Sequence, residues 1–560
     1  MNLRGVVLLV LLGLPAAGLL VFGPRGAVNV PPGRTVIRYW EKWTGIEARA
    51  MQRLVDRFNQ TVGAEQNIWV EYNAVSGIEQ RMLIATAGGD PPDLAGLFDY
   101  LVPQFADQGA LMPLDALTRE AGIDLEAFKP IFLEIGRYDG RLYGLPGTPY
   151  TIALYYNRRL MREAGLDPDR PPQTIAELTG DARRLTRRDE RGKIVQMGFT
   201  TSPAMLGWWH WIWPAFFDAT LWDGRRYRVD TPAARAAYHW IADRRRELGV
   251  KACLDFEATA GAIEGAQNPF LSERLAMVFQ GPWMSNWIRR YAPDLDYGVA
   301  PFPSVTAARR NNFVSSDVFV IPTGSPHPRA AMTFLRFVLR QDNMEALCSA
   351  HCKTSPFRTP LPSFYRDHPN PFIRVFDEMA RSGRPFSYPQ TPTFTQVSAE
   401  TLYLLENILR GVEEPDRAIA AAQRKIDSIV AEYDRMAARR RRAGDAPTIP
   451  PASGNGAPPL PSGEGRGEGR WPNGKGCRAT GGFARGGAGR QRLVPRLRPI
   501  PTRVPQSLDP CSLNPFDCLS LGRLAPPAVP PEKRDGAIFL STGEGSIPAR
   551  RRTSPIGVRP

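Results

Sequence analysis

The sequence predicts an α/β fold in which mostly parallel sheets are flanked by helices. Strand and helix signals alternate along residues 34–438, which is the pattern of β-α units joined into such sheets. The strand signals are short and rich in β-branched and aromatic residues, whereas the helix signals show apolar residues at helical spacing. At 43% hydrophobic residues, the chain has enough apolar surface to bury a sizeable core.

The first unit shows this alternation most clearly. Residues 35–40 alternate polar and apolar side chains and predict a strand, and residues 47–59 place apolar side chains on one helical face. A second strand is predicted at 68–72. Ser76 is then expected to cap a helix, with Glu79 completing a capping box.

The rest of the globular part follows from the same signals. Thr174 is expected to cap a helix, and residues 198–254 are mostly helical in pattern. Further strands are predicted at 142–146 with 151–156, 274–279, 297–301 and 318–321, and further helices at 328–339 and 399–435 with a break at Pro415.

The two ends of the chain differ from this globular part. Residues 1–33 contain an uncharged apolar run at 6–22 behind Arg4, which predicts a secretory signal peptide or an uncleaved membrane anchor. Either one places the rest of the chain outside the cytoplasm, in the periplasm or at the cell surface. Residues 439–560 are rich in Pro, Gly and Arg, so we expect a disordered tail. We interpret this tail as the product of a reading-frame error, with a basic arm that contacts wall polymer or lipid as the alternative.

Charge argues against nucleic acid as a partner. The net charge is +15, but residues 441–560 hold 19 Lys and Arg against 8 Asp and Glu, so most of the excess lies in the tail. The six cysteines form no C-x-x-C pair. Cys348 and Cys352 are interpreted as buried thiols, with a disulfide or a metal site as the alternative. We predict no metal and no cofactor.

Five blocks in order give the chain a resemblance to a known family. The chain resembles family 1 of the extracellular solute-binding proteins, the maltose-binding-protein-like sugar receptors of ABC transporters. The blocks are WEKWTG at 40–45, GGDPPDL at 88–94, LYGLP through PPQT at 142–174, AMVFQGPW at 276–283 and VIPTGS at 320–325.

This resemblance implies a two-lobed periplasmic-binding-protein type II fold with a ligand cleft between lobes joined by crossing hinge strands. Lobe 1 would comprise 34–149 with 305–355, and lobe 2 would comprise 150–304 with 356–438. The chain would cross at 150–155, at 299–303 and near Pro356. The implied function is that of a monomeric, non-enzymatic receptor that binds a small-molecule sugar, closes on it by hinge motion and delivers it to ABC permease subunits.

Candidate ligand-binding residues follow from sugar chemistry and from the resemblance. Aromatic rings suit the apolar faces of a sugar, whereas carboxylates, amides and backbone groups suit its hydroxyls. Ser315, Ser316 and Asp317 stand where relatives carry Gly-Gly-aromatic, which suggests a smaller or more polar ligand. The candidates are Trp40, Glu41, Trp43, Asp99, Tyr100, Tyr155, Trp209, Trp211, Gly281, Trp283, Ser316, Asp317 and Arg358.

Alternatives stay open at this point. Any of the tryptophans is also a candidate for core packing, Asp99 for a helix cap, and Arg358 for a surface salt bridge. A glycan-active enzyme and a ligand-sensing receptor are the competing functions, although no convincing catalytic motif is present. A glycerol phosphate ligand would need several cations in the cleft, and the sequence identifies only Arg358.

Overall fold

A computed structural model describes residues 30–203, 209–261 and 265–443. The predicted signal or anchor lies outside these residues except for its last four positions, and so does the tail beyond Ala443. Across these three ranges, no helix is both long and apolar enough to span a membrane.

Within the three described ranges, the strands form two large sheets and one small hairpin. The first large sheet has the order β13-β12-β3-β1-β2, with β6 paired to β12 off this path, and the second has the order β11-β7-β10-β9-β8. The strands are β1 Thr35–Glu41, β2 Ile68–Ala74, β3 Leu94–Phe98, β4 Arg137–Tyr138, β5 Arg141–Leu142, β6 Gly144–Thr151, β7 Ala153–Asn157, β8 Arg187–Arg188, β9 Ile194–Phe199, β10 Leu275–Gln280, β11 Tyr297–Pro301, β12 Asn311–Val320 and β13 Arg384–Phe386.

Helices cover both sheets, and 3₁₀ helices lie at Asp99–Leu101, Leu125–Ala127 and His210–Phe217. The α-helices are α1 Gly45–Gln60, α2 Val62–Glu65, α3 Ile78–Ala87, α4 Val102–Asp107, α5 Asp115–Ala121, α6 Pro130–Glu134, α7 Arg158–Glu163, α8 Ile175–Leu185, α9 Pro232–Leu248, α10 Val250–Ala258, α11 Met284–Tyr291, α12 Pro328–Val338, α13 Gln341–Ala350, α14 Pro362–Arg366, α15 Ile373–Arg381, α16 Phe394–Arg410 and α17 Pro415–Ala443.

The α/β class and the two-lobed architecture are confirmed, but the sheets are mixed rather than mostly parallel. Strand β1 pairs in parallel with β2 and β3, whereas β12 runs antiparallel to β3 and β6. In the second sheet, β7 runs antiparallel to β10 and β11, and β9 is parallel to β10. The reversed strands β7 and β12 are those that enter a sheet directly from the other one, so the crossings between lobes reduce the parallel content.

The chain passes between the two sheets at two points along β6 to β12. Strand β6 of the first sheet continues into β7 of the second through the single residue Ile152, and the chain returns to the first sheet between β11 and β12. Each sheet has its own apolar core. Tyr39 and Phe334 lie in the first core, whereas Phe279, Phe302 and side chains of α15, α16 and α17 lie in the second. The exact lobe boundaries stay a prediction.

Local signals had mixed outcomes. Thr174 caps α8, as predicted, and forms a capping box with Glu177. The predicted box at Ser76 is wrong, because the left-handed backbone of Gly77 (φ 61°) directly precedes α3, which starts without a side-chain cap. Cys348 and Cys352 are buried free thiols, as interpreted. No group of His, Cys, Asp or Glu among the described residues could hold a metal ion.

Candidate functional site

Asp317 on β12 is the centre of a buried ion cluster. One carboxylate oxygen lies 3.0 Å from the Lys42 ammonium and the other lies 2.8 Å from that of Lys353. The second oxygen also accepts hydrogen bonds from the indole N–H of Trp43 (3.2 Å) and the hydroxyl of Thr148 (2.9 Å). Burial by itself would raise the pKa of Asp317, but the two ammonium groups outweigh it and hold the pKa far below its ordinary value.

Two further carboxylates complete what we call the ion cluster, namely Glu41, Lys42, Glu47, Asp317 and Lys353. Glu41 is fully buried, lies 3.2 Å from the Lys42 ammonium and accepts a hydrogen bond from the Tyr39 hydroxyl (2.6 Å). Glu47 lies 3.4 Å from Lys353. Burial opposes the charge on both lysines, but their carboxylate neighbours raise the pKa of each above its usual value. Both ammonium groups therefore stay charged.

An aromatic cage surrounds the Lys353 ammonium. Its nitrogen lies 5.8 Å from the ring centre of Trp43, 5.9 Å from that of Tyr150 and 5.7 Å from that of Trp283, which is within cation–π range. Trp43 follows β1 of the first sheet, whereas Trp283 follows β10 of the second. The cage therefore joins side chains from both lobes.

The position of Trp283 depends on the residues beneath it. Its indole stacks on that of Trp209 with ring centres 5.7 Å apart and meets the edge of Tyr150 at 5.0 Å. A methyl group on Gly281 would lie 2.2 Å from the indole, so only glycine lets this ring lie over the turn. Tyr155 is buried and donates its hydroxyl hydrogen to the Gly281 carbonyl at 3.0 Å. Tyr155 thus supports the turn rather than lining the cage.

Asp99 provides a second polar group from the first lobe. It directly follows β3, is fully buried and accepts a hydrogen bond from the Ser315 hydroxyl (2.9 Å) through one oxygen. Its other oxygen has no hydrogen-bond partner among the described residues. Burial raises the pKa of Asp99 to about 8, against the opposing effect of the Ser315 hydrogen bond. The carboxyl group is therefore mainly protonated at neutral pH, so it can both donate and accept.

The structure does not bring every predicted residue to the cage. Trp40 packs on the opposite face of the first sheet from Tyr39. Trp211 is buried among Phe313, Tyr388 and other aromatic rings of the second core.

Three other candidate residues make their contacts outside the aromatic cage. Tyr100 stacks on Phe98 and contacts Tyr388, so it joins the lobes beside Asp99. The Ser316 hydroxyl donates to the backbone carbonyl of the next residue. Arg358 is exposed and contacts Glu126, which matches the surface salt-bridge alternative.

Sequence reasoning missed Lys42, Glu47, Tyr150 and Lys353. Glu47 was predicted only as the first residue of a helix. Lys42 lies inside the first family block, between two residues that were chosen, so its position alone was a signal. Tyr150 lies on the first predicted crossing, which was a weaker signal. Nothing local marks Lys353, because its partners Asp317 and Trp43 come from distant parts of the chain.

Comparison with known proteins identifies the family of the chain. The signature of the family described as bacterial extracellular solute-binding protein matches residues 43–345. A putative binding protein of Brucella abortus strain 2308 is 25% identical over 359 residues, which cover 63% of this chain and 82% of that protein.

Solved structures share the fold. A mannobiose-bound protein designated CpMnBP1 is 25% identical, with a TM-score of 0.64, and the match covers 70% of this chain and 99% of that one. The UgpB protein of Mycobacterium tuberculosis, solved with glycerophosphocholine, is 21% identical with a TM-score of 0.59, covering 72% of this chain and 100% of that one. Since the family signature spans more than half of the sequence, the chain belongs to the bacterial extracellular solute-binding proteins.

Proposed function

We propose that this protein is the extracytoplasmic substrate-binding component of an ABC importer and that it binds a carbohydrate between its two lobes. One observation carries the proposal: aromatic rings and hydrogen-bonding groups from both lobes meet around Trp283, Trp43, Tyr150 and Asp99. A guest at this junction would contact both halves of the molecule at once.

The chemistry of the junction suits a carbohydrate. Indole and phenol rings cover the apolar C–H faces of a sugar, and a carboxyl group with one unpaired oxygen accepts or donates to a hydroxyl. Trp283 is only partly buried, whereas Trp43 is 4% exposed, so Trp283 offers the more accessible ring. Binding of mannobiose by CpMnBP1 supports a small oligosaccharide as the ligand class.

Hinge closure is the mechanism of this function. The lobes are joined by few strands, and the shortest crossing is the single residue Ile152 between β6 and β7. A ligand that bridges the lobes lowers the free energy of the closed form more than that of the open form, so it shifts the population to closed. The closed, monomeric receptor then docks on permease subunits. It needs no cofactor, binds no nucleic acid and leaves its ligand chemically unchanged.

A thermal-shift screen of mono- and oligosaccharides, mannobiose included, tests this proposal on the full chain. Ligand at a hundredfold excess over Kd stabilises the folded state by about 2.7 kcal/mol, which gives a measurable rise in Tm. Trp283→Ala should abolish the rise for the best sugar. Trp69→Ala is the matched control, because Trp69 is another partly buried indole, on the strand β2 at the end of the first sheet.

Two results would overturn the proposal. The first is a screen in which no carbohydrate raises the Tm of the wild-type chain. The second is an undiminished shift in Trp283→Ala, which would place the ligand elsewhere. Chromatography of the sugar after long incubation tests the absence of catalysis, and we expect the sugar to be recovered intact.

A further inference from the structure

We propose that the site selects neutral ligands over anionic ones and that Asp317 is the residue that closes it to anions. This inference rests on the proposed function and deepens it. It states that the site binds uncharged carbohydrates and polyols and rejects those that carry a phosphate or carboxylate group. The solved neighbours include both kinds of ligand, because one was solved with glycerophosphocholine, which contains a phosphate, and another with mannobiose, which is neutral.

The junction carries two cations that would suit a phosphate. Lys42 and Lys353 approach the same carboxylate from opposite oxygens, with side chains only 9% and 6% exposed. Two ammonium groups this close together, with no carboxylate between them, would form a strong anion site, because buried charges are weakly screened. Considered without their partners, these two ammonium groups therefore favour an anionic ligand.

The carboxylates that pair with Lys42 and Lys353 make the site unfavourable for an anion. Asp317 lies between the two ammonium groups, Glu41 is a second partner of Lys42, and Glu47 is a second partner of Lys353. Burial raises the pKa of Glu41 and Glu47, and the neighbouring lysine opposes this rise in each case. With its three carboxylates ionised, the ion cluster holds three negative charges against two lysines, so an entering anion would meet an excess of like charge. Repulsion between like charges is a means of rejecting the wrong ligand.

The aromatic cage keeps Lys353 from turning toward an anion. Three rings surround its ammonium, and the nitrogen also donates to the Thr148 hydroxyl at 3.3 Å. To reach a phosphate, Lys353 would have to leave Asp317, Glu47 and these rings together. A neutral sugar carries no charge that would draw Lys353 away from Asp317 and Glu47, so it can bind beside Asp99 and the partly buried Trp283 without breaking these ion pairs.

The experiment is calorimetry at low salt with two probes, mannobiose and sn-glycerol 3-phosphate. In the wild type we expect mannobiose to bind at least a hundredfold more tightly than the phosphate. Asp317→Asn keeps the shape but leaves both lysines without their shared carboxylate, so it should raise the affinity for glycerol 3-phosphate at least tenfold. Asp377→Asn is the matched control, because Asp377 is a buried aspartate paired with Lys129 at 2.8 Å, and it should give no such gain.

A second variant protects the test against misfolding of Asp317→Asn. Glu47 has a side chain 26% exposed, so Glu47→Gln is tolerated more easily, and it should raise affinity for the phosphate about threefold. Equal wild-type affinity for both probes would overturn the inference, and so would folded Asp317→Asn and Glu47→Gln proteins with unchanged phosphate affinity. If neither mannobiose nor any other carbohydrate binds, the proposed function itself fails.

Discussion

Replacing Gly281 with alanine is a sharp test of the site, because it adds one methyl group directly beneath Trp283. The new carbon would lie 2.2, 2.4 and 2.5 Å from three atoms of the indole. Ordinary carbon contacts are about 3.5 Å or more, so the ring must move by roughly an ångström. Gly281 is not in the left-handed region, so alanine adds no backbone strain there.

Moving the Trp283 indole should lower the folding stability slightly and the ligand affinity strongly. The ring loses its stack on Trp209 and its edge contact with Tyr150, each worth about 0.5–1.5 kcal/mol. Overpacking of this kind costs about 1–3 kcal/mol in total, which a large folded chain tolerates. Ligand affinity should fall at least tenfold, since about 1.4 kcal/mol of lost contact is sufficient.

Calorimetry with the best sugar and urea unfolding measure the two effects. Gly180→Ala is the control, because Gly180 lies inside helix α8 with open space around its missing side chain. Alanine there should leave binding unchanged and raise stability by about 0.5–1 kcal/mol. If Gly281→Ala keeps wild-type affinity, Trp283 does not contact the ligand and the reasoning is refuted.

Two further predictions concern buried charges. Asp99 has a pKa of about 8 in the folded chain against 3.8 ordinarily, so the folded state holds the extra proton and this group lowers stability as pH rises from about 4 to 8. Asp99→Asn should remove that loss, at up to about 1.4 kcal/mol per pH unit, and equal pH slopes of urea-unfolding stability in both proteins would contradict this. Lys129 pairs with Asp377 at 2.8 Å in a buried setting, so Lys129→Met should cost about 3–5 kcal/mol by the same assay. A cost below about 1 kcal/mol would show that Arg381, also bonded to Asp377, is sufficient.

Most of the fold could be predicted from local patterns. Strand β11 spans the residues predicted for it, and β1 and β2 begin where predicted. In β1, alternating side chains rich in β-formers are a strong signal. Strand β12 was recognised only at its end. Its first six residues contain Asn311, Asn312 and two serines, which sequence rules assign to loops, but pairing with β6 overrides that preference.

The site was harder to predict than the fold. Trp43 and Trp283 were identified from family blocks and Asp317 from a departure from the family pattern, and the structure brings them together. Lys353 was not, because its role depends on a contact with Asp317 that only the folded chain creates. Arg358 shows the opposite error, since nothing in the sequence tells whether an arginine turns to a cleft or to a surface glutamate.

A crystal structure of the complex with the best-binding sugar would test the central claim most directly. We expect the sugar to lie between the lobes, in contact with the indole of Trp283 from one side and within hydrogen-bond distance of the Asp99 carboxyl group from the other. A sugar held within a single lobe, with both of these groups untouched, would contradict the account.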